Sequence, residues 1–246
     1  CRREGGRGKI ALSAETSTMI SLIGVTLLLL AAVALSSNRA AIQLRTVGMA
    51  FALQVTIGFI GLFTDWGGAA LASASEYVAV LLSYSRAGME FMFGGLVGPS
   101  DSLGFIFAFS VLPVVIFFSS LIAVLYHARI MQWLIRIMGG GLRALLRTSH
   151  TESLSAAANV FVGQAEAPLV ARPYIPNMTR SELFAVMVGG MASIAGSVMA
   201  GYVALGVPLE YLLAASFMAA PGGLLMAKLI EPETDQPVEP APGEKL

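Results

Sequence analysis

The stretch LSAAANVFVGQAEAPLVA, from Leu154 to Ala171, is the most informative part of this sequence. Its small and apolar residues surround a polar, turn-forming centre that consists of Asn159, Gly163, Gln164, Glu166 and Pro168. A carboxylate within an apolar segment must face protein or water, because its exposure to lipid is costly. Gly163 and Pro168 favour a reversal of the chain at this centre. The stretch therefore predicts a re-entrant hairpin of two short helices over residues 151–176, shielded by protein or lining a cavity.

The residues after this hairpin predict a discontinuous helix and a further span. Residues 183–209 contain no charged side chain but many small residues, namely Gly189, Gly190, Ser193, Gly196, Ser197, Gly201 and Gly206. Small residues permit close packing or local unwinding of a membrane helix, which predicts a broken helix over 180–207. The apolar segment 209–230 predicts one more span, and the acidic, proline-rich segment 231–246 predicts a disordered tail.

Three uncharged runs precede the hairpin: Thr18–Ser37, Thr46–Phe63 and Gly104–Tyr126. Each is long enough to cross a bilayer core as a helix, so residues 18–127 are predicted to form scaffold spans after an N-terminal segment 1–17. Between the second and third runs, residues from about 67 to 95 carry scattered charges among apolar side chains. That pattern predicts an interfacial helix on the membrane surface.

The segment 128–150 is basic and amphipathic. Its arginines are Arg129, Arg136, Arg143 and Arg147. Their recurrence among apolar residues predicts a helix at the cytoplasmic interface, and Arg39 and Arg45 predict that the first loop lies on the same side. This orientation places the N-terminus outside, whereas the basic residues from Arg2 to Lys9 favour the inside. The two charge patterns therefore disagree on the orientation of the first span.

The composition is that of a chain that lies largely in lipid. Hydrophobic residues make up 56% of it and charged residues 12%, against about 25% charged residues in soluble domains. The formal net charge is zero and no basic face can be assembled, which excludes nucleic-acid binding. Cys1 is the single cysteine, so no internal disulfide or cysteine-based metal site is predicted, and no cofactor. The predicted fold class is an all-α integral membrane protein surrounded by lipid.

Two groups of polar residues are candidate binding sites. Gln164 and Glu166 offer donors and acceptors that suit a polar heterocycle at a helix break. Asn159 and the segment 192–196, which contains Ser193, offer oxygen ligands for a hard monovalent cation such as sodium. Each group has a simpler alternative: Gln164 and Glu166 satisfy each other or nearby backbone, and Ser193 packs against or bonds to its own helix. The residues alone leave these alternatives open.

Catalysis is not predicted. His127 and His150 flank the basic segment without a carboxylate cluster at ligand spacing, which favours surface histidines. The serines, Ser119 and Ser153 among them, lack a nucleophile-elbow pattern and a base placed beside them. The chain is therefore predicted to be a membrane protein without enzymatic activity.

Several further motifs occur in order along the chain. They are Leu35–Arg39 with Arg45–Val47, Glu90–Gly94, Val111–Pro113 through Phe117–Ser120, Val124–His127 and Gly163–Leu169. Together they resemble the bacterial members of the concentrative nucleoside transporter family, and the last is similar to the tip of that family's first re-entrant hairpin. The resemblance extends from about Ser13 to Glu233. By this joint occurrence the chain is identified as a member of the family, corresponding to the N-terminal half of a bacterial member.

The resemblance implies cation-coupled uptake of nucleosides across the cell inner membrane by a multi-pass homotrimer, with sodium or protons as the coupling ion. It implies that the scaffold helices form the subunit contacts, while residues 151–230 belong to a transport part that moves by an elevator-like motion. Gln164 and Glu166 would contact the nucleobase. The sodium ligands that the resemblance implies are Asn159, Val162, Ser193 and Ile194, with Val162 and Ile194 acting through their backbone carbonyls.

Two features depart from the family pattern. Ala165 stands where the family usually has a hydroxyl side chain that helps to bind sodium, which leaves sodium and protons as alternative coupling ions. The family also continues beyond residues 231–234 with a second hairpin and a second broken helix that hold the ribose. The alternative to a transporter is therefore an inactive or split fragment that lacks the C-terminal half of the binding site.

Overall fold

The computed structural model describes residues 4–97, 106–163 and 167–237, which are mainly helical and form no β-strand. Within these ranges, three helical segments are long and apolar enough to cross a membrane. They are α2 (Leu44–Phe63), the segment Phe107–His127, and the last helix, α11 (Leu209–Ile230). The predicted fold class, an all-α membrane protein, is confirmed.

The first three helices form a connected series. Helix α1 (Glu4–Ala34) has its apolar part at Met19–Ala34, and helix α2 begins at Leu44 after a loop with a short 3-10 turn. Helix α3 (Asp65–Phe93) follows at once, because the Thr64 hydroxyl accepts a hydrogen bond from the Gly67 amide at 3.2 Å and so caps its N-terminus. Its range overlaps the predicted surface helix 67–95, and its location at the membrane surface stays a prediction.

The third apolar run is interrupted near its beginning. It consists of α4 (Phe107–Ser110) and α5 (Leu112–His127), separated at Val111. Pro113 explains the interruption, because its nitrogen has no hydrogen to donate to the Phe109 carbonyl. Helix α6 (Ile130–Leu146) covers most of the basic segment, and it is flanked by Arg129 and Arg147 in the left-handed backbone region, with φ of 61° and 55°.

The hairpin predicted over 151–176 corresponds to two helices that pack against each other. They are α7 (His150–Ala158), which is buried from Thr151 to its end, and α8 (Ala167–Ala171), which runs into the 3-10 helix Arg172–Asn177. The predicted discontinuous helix is confirmed as α9 (Arg180–Ala192) and α10 (Gly196–Ala204), with the break at residues 193–195. Both features therefore lie where small residues and polar groups interrupt the apolar pattern.

Helix α11 forms the centre of the packed core. It contacts α2, α3, α7 and α9, and most of its membrane-length window is buried within the protein. Close helix approach depends on glycines: a β-carbon at Gly223 would lie only 3.3 Å from the Cα of Gly189 in α9. The ring of Phe217 meets that of Phe161 edge to face, with ring centroids 6.3 Å apart. Helix α11 thus supports both the hairpin and the discontinuous helix.

The prediction of a disordered tail over 231–246 is wrong for its first residues. Glu231 forms an ion pair with Arg180 at 3.1 Å, and Glu233 accepts a hydrogen bond from the Thr179 hydroxyl at 2.9 Å. The acidic side chains that suggested disorder are instead attracted to the positive N-terminal end of α9 and to the cations beside it. Residues 238–246 lie outside the described residues.

Candidate functional site

The loop of the hairpin lies against the break in the discontinuous helix. A β-carbon at Gly196 would overlap the Phe161 carbonyl oxygen, so only glycine permits this approach. A β-carbon at Gly163 would lie 3.1 Å from Cβ of Ala195. Residues 159–163 and 193–196 therefore form one contact region, which we call the tip–break contact.

Asn159 lies at the hairpin side of this contact and caps the C-terminus of α7. It is 1% exposed, and neither its amide oxygen nor its amide nitrogen has a hydrogen-bond partner among the described residues. Its Nδ2 faces α9, since a β-carbon at Gly189 would lie 2.9 Å from that atom. A buried amide without partners costs free energy, so these atoms are suited to a ligand.

Ser193 occupies the matching position on the other side of the contact. It caps the C-terminus of α9, and its Oγ is buried without a partner within the described ranges. Ile194, the next residue, packs against the apolar cluster that consists of Met199, Leu209 and Leu212. Val162 is fully buried in the hairpin loop, between the two residues that touch the break. The structure therefore brings the four predicted sodium ligands to the same region.

Three helix ends meet in this region. Helices α7 and α9 end here and α10 begins at Gly196, so two carbonyl ends and one amide end face the contact. The Ala158 carbonyl at the end of α7 already accepts backbone hydrogen bonds, from Phe161 and Val162. The available groups are an amide oxygen, a hydroxyl and backbone carbonyls, which are hard oxygen ligands. Among the described residues there is no cluster of His, Cys, Asp or Glu that could hold a metal ion. The donor set thus fits a monovalent cation such as sodium.

The two predicted nucleobase ligands cannot be located in the same way. Gln164 and Glu166, together with Ala165, lie outside the described residues. They directly follow Gly163, whose β-carbon position lies against Ala195. Their role as nucleoside ligands stays a prediction.

A second polar cluster, which the sequence reasoning missed, lies at the opposite ends of α7 and α9. Lys228 of α11 is 8% exposed and forms ion pairs with Glu152 and, at 3.3 Å, with Glu233. It also donates a hydrogen bond to the Ser181 hydroxyl at 2.8 Å. Glu182 is 2% exposed and accepts a hydrogen bond from the Thr151 hydroxyl at 2.8 Å. We call these residues the Lys228 cluster.

Two helix-capping motifs could have revealed this cluster. Ser149 and Glu152 form a capping box at the start of α7, and Thr179 and Glu182 form one at the start of α9. Glu152 lies outside the three candidate spans. Burial raises the pKa of its carboxyl group, and both the attraction to Lys228 and hydrogen bonds to the carboxylate oppose that rise. The sequence signal for the Lys228 cluster is therefore a pair of S/T-x-x-E motifs followed by one lysine within an apolar helix.

Comparison with known families gives two matches. Residues 23–96 match a family model described as the N-terminus of Na⁺-dependent nucleoside transporters. Residues 108–209 match a model described as nucleoside recognition, or Gate. The second range contains the whole tip–break contact.

Individual proteins agree with these matches. The chain is 47% identical over 223 residues to the nucleoside permease NupC of Helicobacter pylori, covering 89% of this chain and 53% of the permease. It is 39% identical to human sodium/nucleoside cotransporter 1, covering 92% of this chain and 34% of that protein. The structure of CNTnw in an inward-facing substrate-bound state is 53% identical, with a TM-score of 0.87 over 93% of this chain and 56% of CNTnw. The chain thus spans about half the length of the permease and of CNTnw.

Proposed function

Because this chain belongs to the concentrative nucleoside transporter family, we propose that it serves in the cation-coupled uptake of nucleosides across a cell inner membrane. The observation that carries the proposal is the tip–break contact. There, the amide of Asn159 and the hydroxyl of Ser193 are buried without partners among the described residues, where α7 and α9 end and α10 begins. Such groups stabilise a bound cation and are costly to bury without one.

In this proposal the cation binds to Asn159, Ser193 and the carbonyls of Val162 and Ile194. The bound ion holds the hairpin loop against the helix break. Because Gln164 and Glu166 directly follow that loop, the ion also holds them in position to bind the nucleobase. Binding of cation and nucleoside is then linked, so each raises the affinity for the other by the same factor. A cation gradient can thereby drive nucleoside inward.

The larger-scale part of the proposal concerns movement and assembly. We propose that the hairpin, the discontinuous helix and α11 carry the bound nucleoside in an elevator-like motion against a scaffold within residues 18–127, and that the protein is a homotrimer. The packing of α11 against α7 and α9 supports their movement as one unit. Because α11 also packs against α2 and α3, the motion has to change those contacts. A surface location of α3 and α6 would place charged side chains at the lipid headgroups.

The test is uridine uptake. This chain is joined to the part of CNTnw that it does not match, and the product, called the fusion, is reconstituted into liposomes. We expect uptake to require an inward sodium or proton gradient. Uptake that is equal with and without any cation gradient would overturn the proposal. The CNTnw part alone is the control for background uptake.

Glu166 gives the first specific prediction. We expect Glu166→Gln to weaken uridine binding to the fusion by about tenfold, since a charge-assisted hydrogen bond worth roughly 1.5 kcal/mol is replaced by a neutral one. Isothermal titration calorimetry measures this change. Glu76→Gln, at an exposed position of α3, is the matched control and should leave the affinity unchanged. Unchanged binding in Glu166→Gln would remove this carboxylate from the nucleoside site.

Ala165 gives the second prediction, which concerns the ion. We expect Ala165→Ser to lower the sodium concentration for half-maximal uridine uptake by about threefold to tenfold, because it adds one hydroxyl ligand. Ala70→Ser, at an exposed position of α3, should have no effect. A response of Ala165→Ser to protons but not to sodium would identify proton coupling instead.

A further inference from the structure

The Lys228 cluster connects the elements that carry the tip–break contact. Lys228 lies in the last turn of α11 and touches the first turn of α7 through Glu152 and the first turn of α9 through Ser181. Thr151 of α7 donates a hydrogen bond to Glu182 of α9, which joins the two helices directly. Glu233 adds the segment after α11, through Lys228 and Thr179. One buried amine therefore contacts three segments of the fold besides its own helix.

Helix geometry relates this cluster to the candidate cation site. Asn159 follows Glu152 by seven residues, which is about two helical turns and 10 Å. Ser193 follows Glu182 by eleven residues, which is about three turns. Both spacings return nearly to the same face of the helix. The two candidate sodium ligands thus lie at the far ends of two helices whose near ends are joined at the cluster.

The burial of these charges argues for a role in geometry more than in stability. Glu152 and Glu182 are 1% and 2% exposed, and Lys228 is 8% exposed. A buried ion pair contributes little net stability, because desolvation offsets the attraction between the charges. In some proteins a buried ion pair fixes one arrangement of the packed elements. Here, a shift of α7 or α11 along its axis would separate Glu152 from Lys228. A one-residue shift of α7 would move Glu152 by about 1.5 Å.

We propose that Lys228 is a positioning residue: it sets the relative axial positions of α7 and α9, and through them the geometry of the cation site between Asn159 and Ser193. This inference rests on the proposed function for the identity of the site. Lys228 itself lies near the opposite ends of both helices and does not touch the cation. Its effect reaches the site through two short, rigid helices.

The test measures position and affinity separately in the full chain. Because α7 is buried from Thr151 to its end, its position is followed from α8, which packs against it in the hairpin. The background is Cys1→Ser, with spin labels on cysteines at Leu169 in α8 and Met191 in α9, which are 61% and 73% exposed. The variants are Lys228→Met and the charge-neutral pair Lys228→Met with Glu152→Gln. Electron–electron resonance gives the distance between the labels, thermal unfolding in choline gives stability, and sodium-22 binding gives cation affinity.

We expect Lys228→Met alone to lower the melting temperature, since it leaves buried carboxylates without a cation. The neutral pair should recover most of that stability, because it removes one of these charges. In both variants the distribution of distances between the labels should shift or broaden by about 1.5 Å or more, which is the rise of one helical residue. The sodium concentration for half-saturation should rise about tenfold, as for loss of a group that orients metal ligands.

Three outcomes separate the possibilities. An unchanged label distance in the neutral pair overturns the positioning role, whatever the sodium result. A changed distance with unchanged sodium affinity overturns its link to the cation site. A changed distance in a chain whose unsubstituted form binds no sodium retains the positioning role and overturns the proposed cation site.

Discussion

Asn159→Ala is expected to abolish sodium-dependent binding of uridine to the fusion at physiological sodium concentrations. The Asn159 amide is buried without a partner among the described residues, at the C-terminus of α7 and against α9. Removal of one oxygen ligand from the ion costs roughly 3 kcal/mol, which is about a 100-fold loss of sodium affinity. Sodium-22 binding and uridine calorimetry measure the two losses separately.

The matched control for this change is Asn38→Ala. Asn38 is exposed in the first loop, and its side chain makes no capping hydrogen bond there. We expect the fusion with Asn38→Ala to bind sodium and uridine with the same affinities as the unchanged fusion. If Asn159→Ala binds sodium normally, the unpartnered amide is a structural feature of the hairpin and the ion binds elsewhere.

Gly196→Ala is expected to eliminate both cation and nucleoside binding while leaving the helices formed. The added β-carbon would overlap the Phe161 carbonyl oxygen, so the hairpin loop and the helix break must move apart. Overpacking of a tight contact costs about 1–3 kcal/mol, and here the displaced groups are the candidate ligands themselves. Uridine uptake by the fusion should therefore fall to background.

Gly140→Ala tests whether any glycine replacement would have this effect. Apart from its chain neighbours and the backbone of its own helix, no described atom lies within 4 Å of the β-carbon position at Gly140, which is exposed in α6. We expect normal uptake from that variant. Normal uptake from Gly196→Ala as well would mean that the tip–break contact is absent from the working transporter.

The sequence predicted helices α2 and α11 closely because lipid imposes simple length and polarity requirements. Helix α1 instead begins at Glu4, within the segment 1–17 that was predicted to precede the first span. The run Thr46–Phe63 predicts α2 within two residues at its start, since it is bounded by Arg45 and Asp65. The break in the discontinuous helix was also predictable, because small residues, Ser193 and Gly196 among them, permit local unwinding within an uncharged apolar run. These features depend on local composition alone.

Long-range contacts were less predictable. Glu231 and Glu233 suggested a solvated acidic tail, but their partners Arg180 and Thr179 lie some fifty residues earlier in the chain. The same holds for Lys228, whose partner Glu152 is remote in sequence. Local composition cannot distinguish a charge that faces water from a charge that meets a distant partner. Only the capping motifs at 149–152 and 179–182 hinted at buried carboxylates.

The candidate site was likewise predictable only in part. Family resemblance predicted that Asn159 and Ser193 act together, and the structure brings their segments into contact through Gly163, Gly196 and Phe161. The residue types alone could not predict this contact, because a serine in a glycine-rich helix is usually a packing residue.

The decisive measurement is the dissociation constant of uridine for the fusion in sodium chloride and in choline chloride, by calorimetry. Every proposed ion ligand comes from this chain, and linkage requires that an ion at the tip–break contact strengthens nucleoside binding. We predict binding at least about tenfold tighter in sodium than in choline, a difference that Asn159→Ala removes. Equal dissociation constants in the two salts, at constant pH and in the unchanged fusion, would contradict a sodium site coupled to the nucleoside.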